Sequence, residues 1–174
     1  MEDGALQFDK CSKEFVALFN QLSKMGSDWS VISIKDPRIS RPSDGSRSFI
    51  NAVEPEKLFQ YVFFENTKLQ CVKAVVQFGL YTRGPVGHVH GGAIATILDI
   101  AMAQCAGNGS VTVNLNIEYK RAVPLNTTTL VEAKIDKIEG RKMFLSAAVK
   151  SVDSCQIYST ATSIFVIPKS KASL

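Results

Sequence analysis

A single carboxylate stands in the longest apolar run of this chain. Residues 91–106 read GGAIATILDIAMAQCA, and Asp99 is their one charged side chain. A carboxylate placed among apolar residues either finds hydrogen-bond partners or has its pKa pushed up. The helix alone does not separate a chemical role from a structural one in which Asp99 is tied to an amide, a threonine or an arginine. The residues ahead of it favour chemistry. Pro85, Gly87, His90, Gly91 and Gly92 lead into the helix, and glycines let a substrate approach the backbone closely. First-turn N–H groups lack internal partners and carry the positive end of the helix dipole. Such a terminus suits an oxyanion or a polarised carbonyl. His90 and Asp99 are separated by roughly 13 Å of helical rise. Both cannot touch one small reacting centre from the same helix. Cooperation requires an Asp99 from a neighbouring subunit, or a long substrate bridging the two.

Other chemistries are less well supplied. His88 and His90 are the two histidines. An H-x-H pair needs a third and fourth ligand to hold a metal, so the expectation is no metal, with one ring bracing the loop and the other exposed. Cys11, Cys71, Cys105 and Cys155 are widely spaced and form no C-x-x-C pair. Neither a disulfide framework nor a zinc site is expected, and a reducing compartment is the default. Cys105, in an apolar helix without a basic neighbour, reads as a small core residue rather than a nucleophile. No Ser-His-Asp or Cys-His arrangement is legible.

The elements that position these residues follow from periodicity. At 3.6 residues per turn, Gly92, Ala95, Thr96, Asp99, Ala103 and Ala106 share one stripe of the helix. Ile94, Ile97, Leu98 and Ala101 share the opposite one, with Cys105 a turn on. So Asp99 projects from a face of small residues that a ligand or second subunit can approach. A helix this apolar must be covered on most sides. After it, SVTVNLNIEY alternates: Val111, Val113, Leu115, Ile117 and Tyr119 on one face, Thr112, Asn114, Asn116 and Glu118 on the other. This predicts a half-buried antiparallel strand. TTLVEAKIDKI, KMFLSAAVKSV and CQIYSTATSIFVI predict three more, the first two linked at EGRK. Upstream, QYVFFEN and LQCVKAVVQFGLY are strand-like with a turn at Asn66 and Thr67. SKEFVALFNQLSKMG aligns Phe15, Leu18, Phe19 and Leu22 on one helical face, and DPRISRPSDGSRS reads as a loop. The pattern is α+β: one antiparallel sheet curling round a long helix, with edge strands that pairing between subunits would cover.

The 174 residues suit one domain, with 45% hydrophobic and 21% charged residues. Residues 1–50 read as a leader with a short helix and a loop, 51–168 as the domain, and 169–174 as a tail. The net charge of +4 gathers in YKRAV, EGRKM and IPKSKASL. That is too local for a nucleic-acid surface but suits a phosphorylated small molecule. No apolar run is long enough to span a membrane. MEDGALQFDK shows neither a signal-peptide core nor an Arg-rich transit pattern; the expected place is intracellular, mitochondrial or cytoplasmic.

GHVHGGAIATILD, VNLNIEYKRAVPL and DKIEGRKMF together closely resemble the hotdog-fold acyl-CoA thioesterases, in the branch of thioesterase superfamily members four and five. The likeness runs from about Tyr61 to Ile167. It implies a long helix wrapped by a curved antiparallel sheet, and a dimer or dimer of dimers with sites between subunits. It also implies an acyl-CoA substrate of medium or long chain, and no cofactor beyond the coenzyme A of the substrate. By the resemblance, Asp99 is the catalytic acid, as general base or nucleophile. Gly91 supplies the N–H that polarises the thioester oxygen from the partner subunit. His90 shapes the site, and Thr112 takes the place of a Ser or Thr near the carboxylate. Thr112, however, lies on the polar face of its strand, so it serves only if that face looks into the subunit interface. Lys120, Arg141 and Lys142 match positions that contact the nucleotide end of coenzyme A. Glu118 departs from the asparagine usual there, and becomes a salt-bridge partner for Lys120 or weakens a phosphate contact. Gly84 stands where distant relatives carry an asparagine. Two rival readings remain. One is a hotdog enoyl-CoA hydratase or dehydratase, against which the lack of a second acid or histidine near HGG argues. The other is a non-enzymatic modulator of a protein kinase, with the leader as docking segment.

Overall fold

Strand periodicity carries straight into the sheet of the computed structural model, which describes residues 11–32 and 55–169. The loop read at DPRISRPSDGSRS, the first ten residues and residues 170–174 lie outside these. In chain order the elements are α1 (Lys13–Leu22), β1 (Ser30–Val31), α2 (Pro55–Leu58), β2 (Phe59–Asn66), β3 (Cys71–Phe78), α3 (Gly91–Ala106), β4 (Val111–Tyr119), β5 (Thr128–Glu139), β6 (Lys142–Ser151) and β7 (Ile157–Val166). A short 3-10 turn spans Leu80–Thr82. The seven strands form one sheet in the order β1-β2-β3-β5-β6-β7-β4, with every neighbour antiparallel. β4 leaves α3 and crosses to the far edge of the sheet.

The inner face of the sheet holds α3. Val76, Phe78, Val131, Leu145, Val149 and Phe165 pack with Ile94, Ile97, Leu98, Ala101 and Met102 in one core. Each of these side chains larger than alanine contributes about 1.5–3 kcal/mol on burial. The sheet covers only this side of the helix. Along the opposite stripe Ala95, Thr96, Asp99, Ala103 and Ala106 stay half-buried and Gly92 exposed.

The outer face carries α1. Phe15, Leu18 and Leu22 pack on Val62, Phe64, Val75 and Leu130 to form a second core. Ser12 caps the helix by accepting from the Phe15 N–H at 3.1 Å. Its hydroxyl also lies 2.8 Å from Thr128 Oγ1, which ties the cap to β5. Beyond α1 the outer face is polar. Glu132 there lies between Lys73 at 3.0 Å and Lys150 at 2.6 Å. Partial burial works to raise the Glu132 pKa, but the hydrogen bonds from Lys150 and Lys73 outweigh it and hold the carboxyl below its ordinary range.

β4 corrects the strict alternation expected from its sequence. Its register against β7 runs Leu115↔Ser163, Ile117↔Ala161 and Tyr119↔Ser159, then shifts so that Thr112 faces Phe165. The shift lies between Thr112 and Asn114, and Val113 has no register partner. One extra residue in a strand reverses the parity of everything before it. Thr112 therefore joins Leu115, Ile117 and Tyr119 on the helix side, and does not need a subunit interface to meet α3. Val111 and Val113 are left 47% and 57% exposed on the terminal strand of the sheet.

Candidate active site

Asp99 sits midway along α3 on the half-buried small-residue stripe. Thr112 Oγ1 donates to its Oδ1 at 2.9 Å. No lysine or arginine forms an ion pair with Asp99 among the described residues. The second carboxylate oxygen therefore remains free to accept from a ligand or a water, and the threonine fixes the rotamer that presents it. Cys105, two turns further on, is no rival nucleophile. Burial pushes its thiol up to about 12, and Sγ donates to the Gln70 carbonyl at 3.1 Å. At neutral pH it stays a thiol.

The N-terminus of α3 is built differently. His90 is the cap residue, with extended backbone, and its Nδ1 accepts from the Gly92 N–H at 2.9 Å. An accepting Nδ1 places the proton of a neutral ring on Nε2, so the ring offers an Nε2–H donor on its outer side. The N–H groups of Ala93 and Ile94 both reach the His90 carbonyl, at 2.9 and 3.3 Å. Of the first four amides, only that of Gly91 has no partner among the described residues. Its N–H is therefore the donor that the terminus presents. The loop before it is held by the His90 N–H to the Thr82 carbonyl at 2.7 Å and by His88 Nδ1, 2.9 Å from the Val86 carbonyl. The two imidazoles thus serve separate partners. Gly84 lies against the cap: a Cβ there would stand 2.7 Å from His90 Cα. An asparagine at 84 does not fit without moving His90, a physical reason for this departure from the distant relatives.

Tyr119 completes this end. Its hydroxyl donates to the Gly91 carbonyl at 3.0 Å. The sequence reading did not single it out. The signal lay in the fold: only when β4 is known to run back along α3 do Thr112 and Tyr119 both reach the helix, Tyr119 at its first residue and Thr112 midway along it.

The basic residues divide in the same way. Lys120 follows Tyr119, and its Nζ pairs with Glu118 at 3.2 Å. Glu118 also accepts from Thr160 Oγ1 at 3.3 Å. Of the two alternatives for Glu118, the salt bridge is the one present. Lys142 is in register with Val166, which is in register with Val111. Lys142 thus lies across from the Thr112 end of β4. Arg141 Nη1 donates to the Ile167 carbonyl at 3.0 Å beside it. The nine residues of β4 span about 26 Å. A single chain therefore holds two separated half-sets, Asp99 with Thr112 at one end and His90, Gly91 and Tyr119 at the other; Arg141 and Lys142 lie toward the first end, with Lys142 on the opposite face from its core neighbour Met143, and Lys120 lies toward the second.

A carboxylate oxygen and a first-turn amide, both without a partner among the described residues, are groups suited to act on an acyl carbonyl. Residues 86–156, which contain both half-sets apart from the tail contacts, match the family model "Thioesterase superfamily". A bovine protein named acyl-coenzyme A thioesterase THEM4 is 36% identical over 95% of this chain and 78% of its own length. This chain belongs to the thioesterase superfamily. A human protein named acyl-coenzyme A thioesterase THEM5 is 31% identical over 74% of this thioesterase and 53% of its own length. The mouse THEM4 is 38% identical over 76% of this chain but 56% of its own, so the chain spans about half to three quarters of these relatives. Among solved structures, a thioesterase superfamily protein superposes with a TM-score of 0.56 at 27% identity, over 61% of this chain and 53% of that one. Zebrafish thioesterase superfamily member 2, at 18% identity, shares the fold with a TM-score of 0.52 over 56% of this chain and 75% of its own. The α+β hotdog expectation holds: an antiparallel sheet wraps one face of a long helix.

Proposed function

We propose that this thioesterase hydrolyses fatty acyl-coenzyme A of medium or long chain to the free acid and coenzyme A, at sites shared between two protomers. The observation that carries the reading is the pairing of Asp99 with Thr112 on a helix whose own free amide, that of Gly91, is about 12 Å away. A single chain holds the base and the polarising donor too far apart for one carbonyl. Antiparallel pairing of two β4 edges about their middle would bring the Thr112 end of one protomer to the Tyr119 end of its partner. Lys120 would then join Arg141 and Lys142 from the other protomer beside the phosphates of coenzyme A, for which Lys and Arg suit by charge and fork geometry.

In the reaction the thioester oxygen accepts from Gly91 N–H, with His90 Nε2–H beside it. Asp99 takes a proton from water as the water oxygen bonds to the carbonyl carbon. The carbon–sulfur bond then breaks, and the proton leaves with the sulfur as the coenzyme A thiol. The good leaving group lets one base and one polarising terminus suffice.

The test is thiol release across acyl-CoA chain lengths with wild type and Asp99→Asn. Release falling by about 10²–10⁴-fold in the variant, with fold and assembly kept, is the expected outcome for loss of a general base. Equal rates in both proteins overturn it. Water addition to an enoyl-CoA would point instead to the hydratase class. Binding to a kinase that survives Asp99→Asn, without thiol release by the wild type, would point to the modulator reading.

A further inference from the structure

We infer that Tyr119 is a positioning residue for the α3 amide donor, an inference that rests on the thioesterase site proposed above. The peptide unit joining Gly91 to Gly92 is held at both ends. Its carbonyl accepts from the Tyr119 hydroxyl at 3.0 Å, and its N–H donates to His90 Nδ1 at 2.9 Å. Two successive glycines are the most mobile backbone a helix could begin with. The Gly91 N–H lies in the preceding peptide, whose carbonyl is already held by the Ala93 and Ile94 N–H groups, so rotation of the Gly91–Gly92 peptide acts on it through the Gly91 Cα, where the two planes meet. The two bonds act from opposite sides of the chain, one from the edge strand and one from the cap, and together they fix the plane. Preorganised donors stabilise a developing oxyanion because they need no reorientation during reaction.

The ring adds a second contact. A Cβ on Gly91 would stand 3.3 Å from Tyr119 Cζ and 3.4 Å from Cε1 and the hydroxyl oxygen. The hydroxyl end of the ring therefore lies close against the glycine, and a side chain there would have to push it back by a few tenths of an ångström. Tyr119 is nevertheless 52% exposed and adds little to the core. Its hydroxyl and ring are spent on the first residue of one helix, at the point where the free amide emerges.

Tyr119→Phe keeps the ring and removes the bond to Gly91. Two measurements read it. In thiol release, kcat falls about tenfold, the worth of one hydrogen bond felt in the transition state, while KM for acyl-CoA and the unfolding midpoint stay at wild-type values. In amide hydrogen exchange, the Gly92 N–H loses about tenfold of its protection while the α3 interior at Ile97 and Leu98 is unchanged. Wild-type kcat in the variant overturns the inference, and so does wild-type exchange at Gly92. A fall in kcat that tracks a lower unfolding midpoint also overturns it, since that marks a merely structural residue. A wild-type protein that releases no thiol defeats the thioesterase reading instead, and the exchange measurement then still decides whether Tyr119 holds the peptide.

Discussion

At the scale of single residues, Gly91 is asked to do two things. It leaves room for the Tyr119 ring, and it presents the one first-turn amide of α3 that has no partner among the described residues. The two can be separated. Gly91→Ala keeps the N–H and adds the Cβ that crowds Tyr119. Gly91→Pro adds a similar atom and removes the N–H. Proline is well tolerated at the first position of a helix, and His90, with φ −67° and ψ 136°, already has the backbone that a following proline demands. We therefore expect both variants to fold, Gly91→Ala to lose a modest part of kcat, and Gly91→Pro to lose about 10²–10³-fold more, the range for deleting an oxyanion donor. Steady-state thiol release on the pair checks this, and similar rates for the two would assign the loss to crowding rather than to the amide. Asp99, His90 and Gly91 were all legible in the sequence, because an isolated acid and a glycine-rich helix entrance stand out from a core pattern. Tyr119 was not, since a tyrosine at the end of an alternating strand is indistinguishable from ordinary sheet packing until its partner is known.

At the scale of elements, apolar periodicity gave the helices and strands nearly to their ends, because burial on one face writes itself into the residue order. The two-residue β1, the one-turn α2 and the 3-10 turn were too short to show in it, and two features that matter more also escaped it. The register shift beside Val113 is invisible in a list of alternating residues, yet it decides that Thr112 meets Asp99. The docking of α1 is equally silent. Phe15, Leu18 and Leu22 announce an amphipathic helix but not which face of which sheet receives it. It lies on the outer face, with the sheet between it and α3. This separates stability from chemistry. Leu18 is 1% exposed, and Leu18→Ala should cost about 2–5 kcal/mol of folding free energy. Its native-state kcat should stay within about twofold of wild type, as expected for distant, independent sites. Denaturant unfolding and thiol release on one preparation would show it, and a large kcat loss without unfolding would mean that the two faces are coupled.

At the scale of the whole molecule, the proposed site needs two chains. Asp99 with Thr112 and Gly91 with Tyr119 occupy opposite ends of β4. If protomers exchange these ends, mixing two inactive variants restores activity. Asp99→Asn and Gly91→Pro, co-expressed or refolded together in equal amounts, should yield about a quarter of wild-type thiol release: half the random dimers are mixed, and each mixed dimer has one intact site of two. No recovery, with mixed dimers demonstrated by differently tagged chains, would place acid and amide in the same subunit or assign the reaction to another geometry.

The two polar bonds from β4 to α3 have one more consequence, for solubility. A terminal strand with exposed valines invites foreign strands to add to it, and a strand held only by its sheet neighbour can peel away to accept them. Here the strand is pinned to the helix beneath it by Thr112 at one end and Tyr119 at the other. We expect that removing either hydroxyl frees this edge and raises the tendency to aggregate, measurable by light scattering, without lowering the unfolding midpoint.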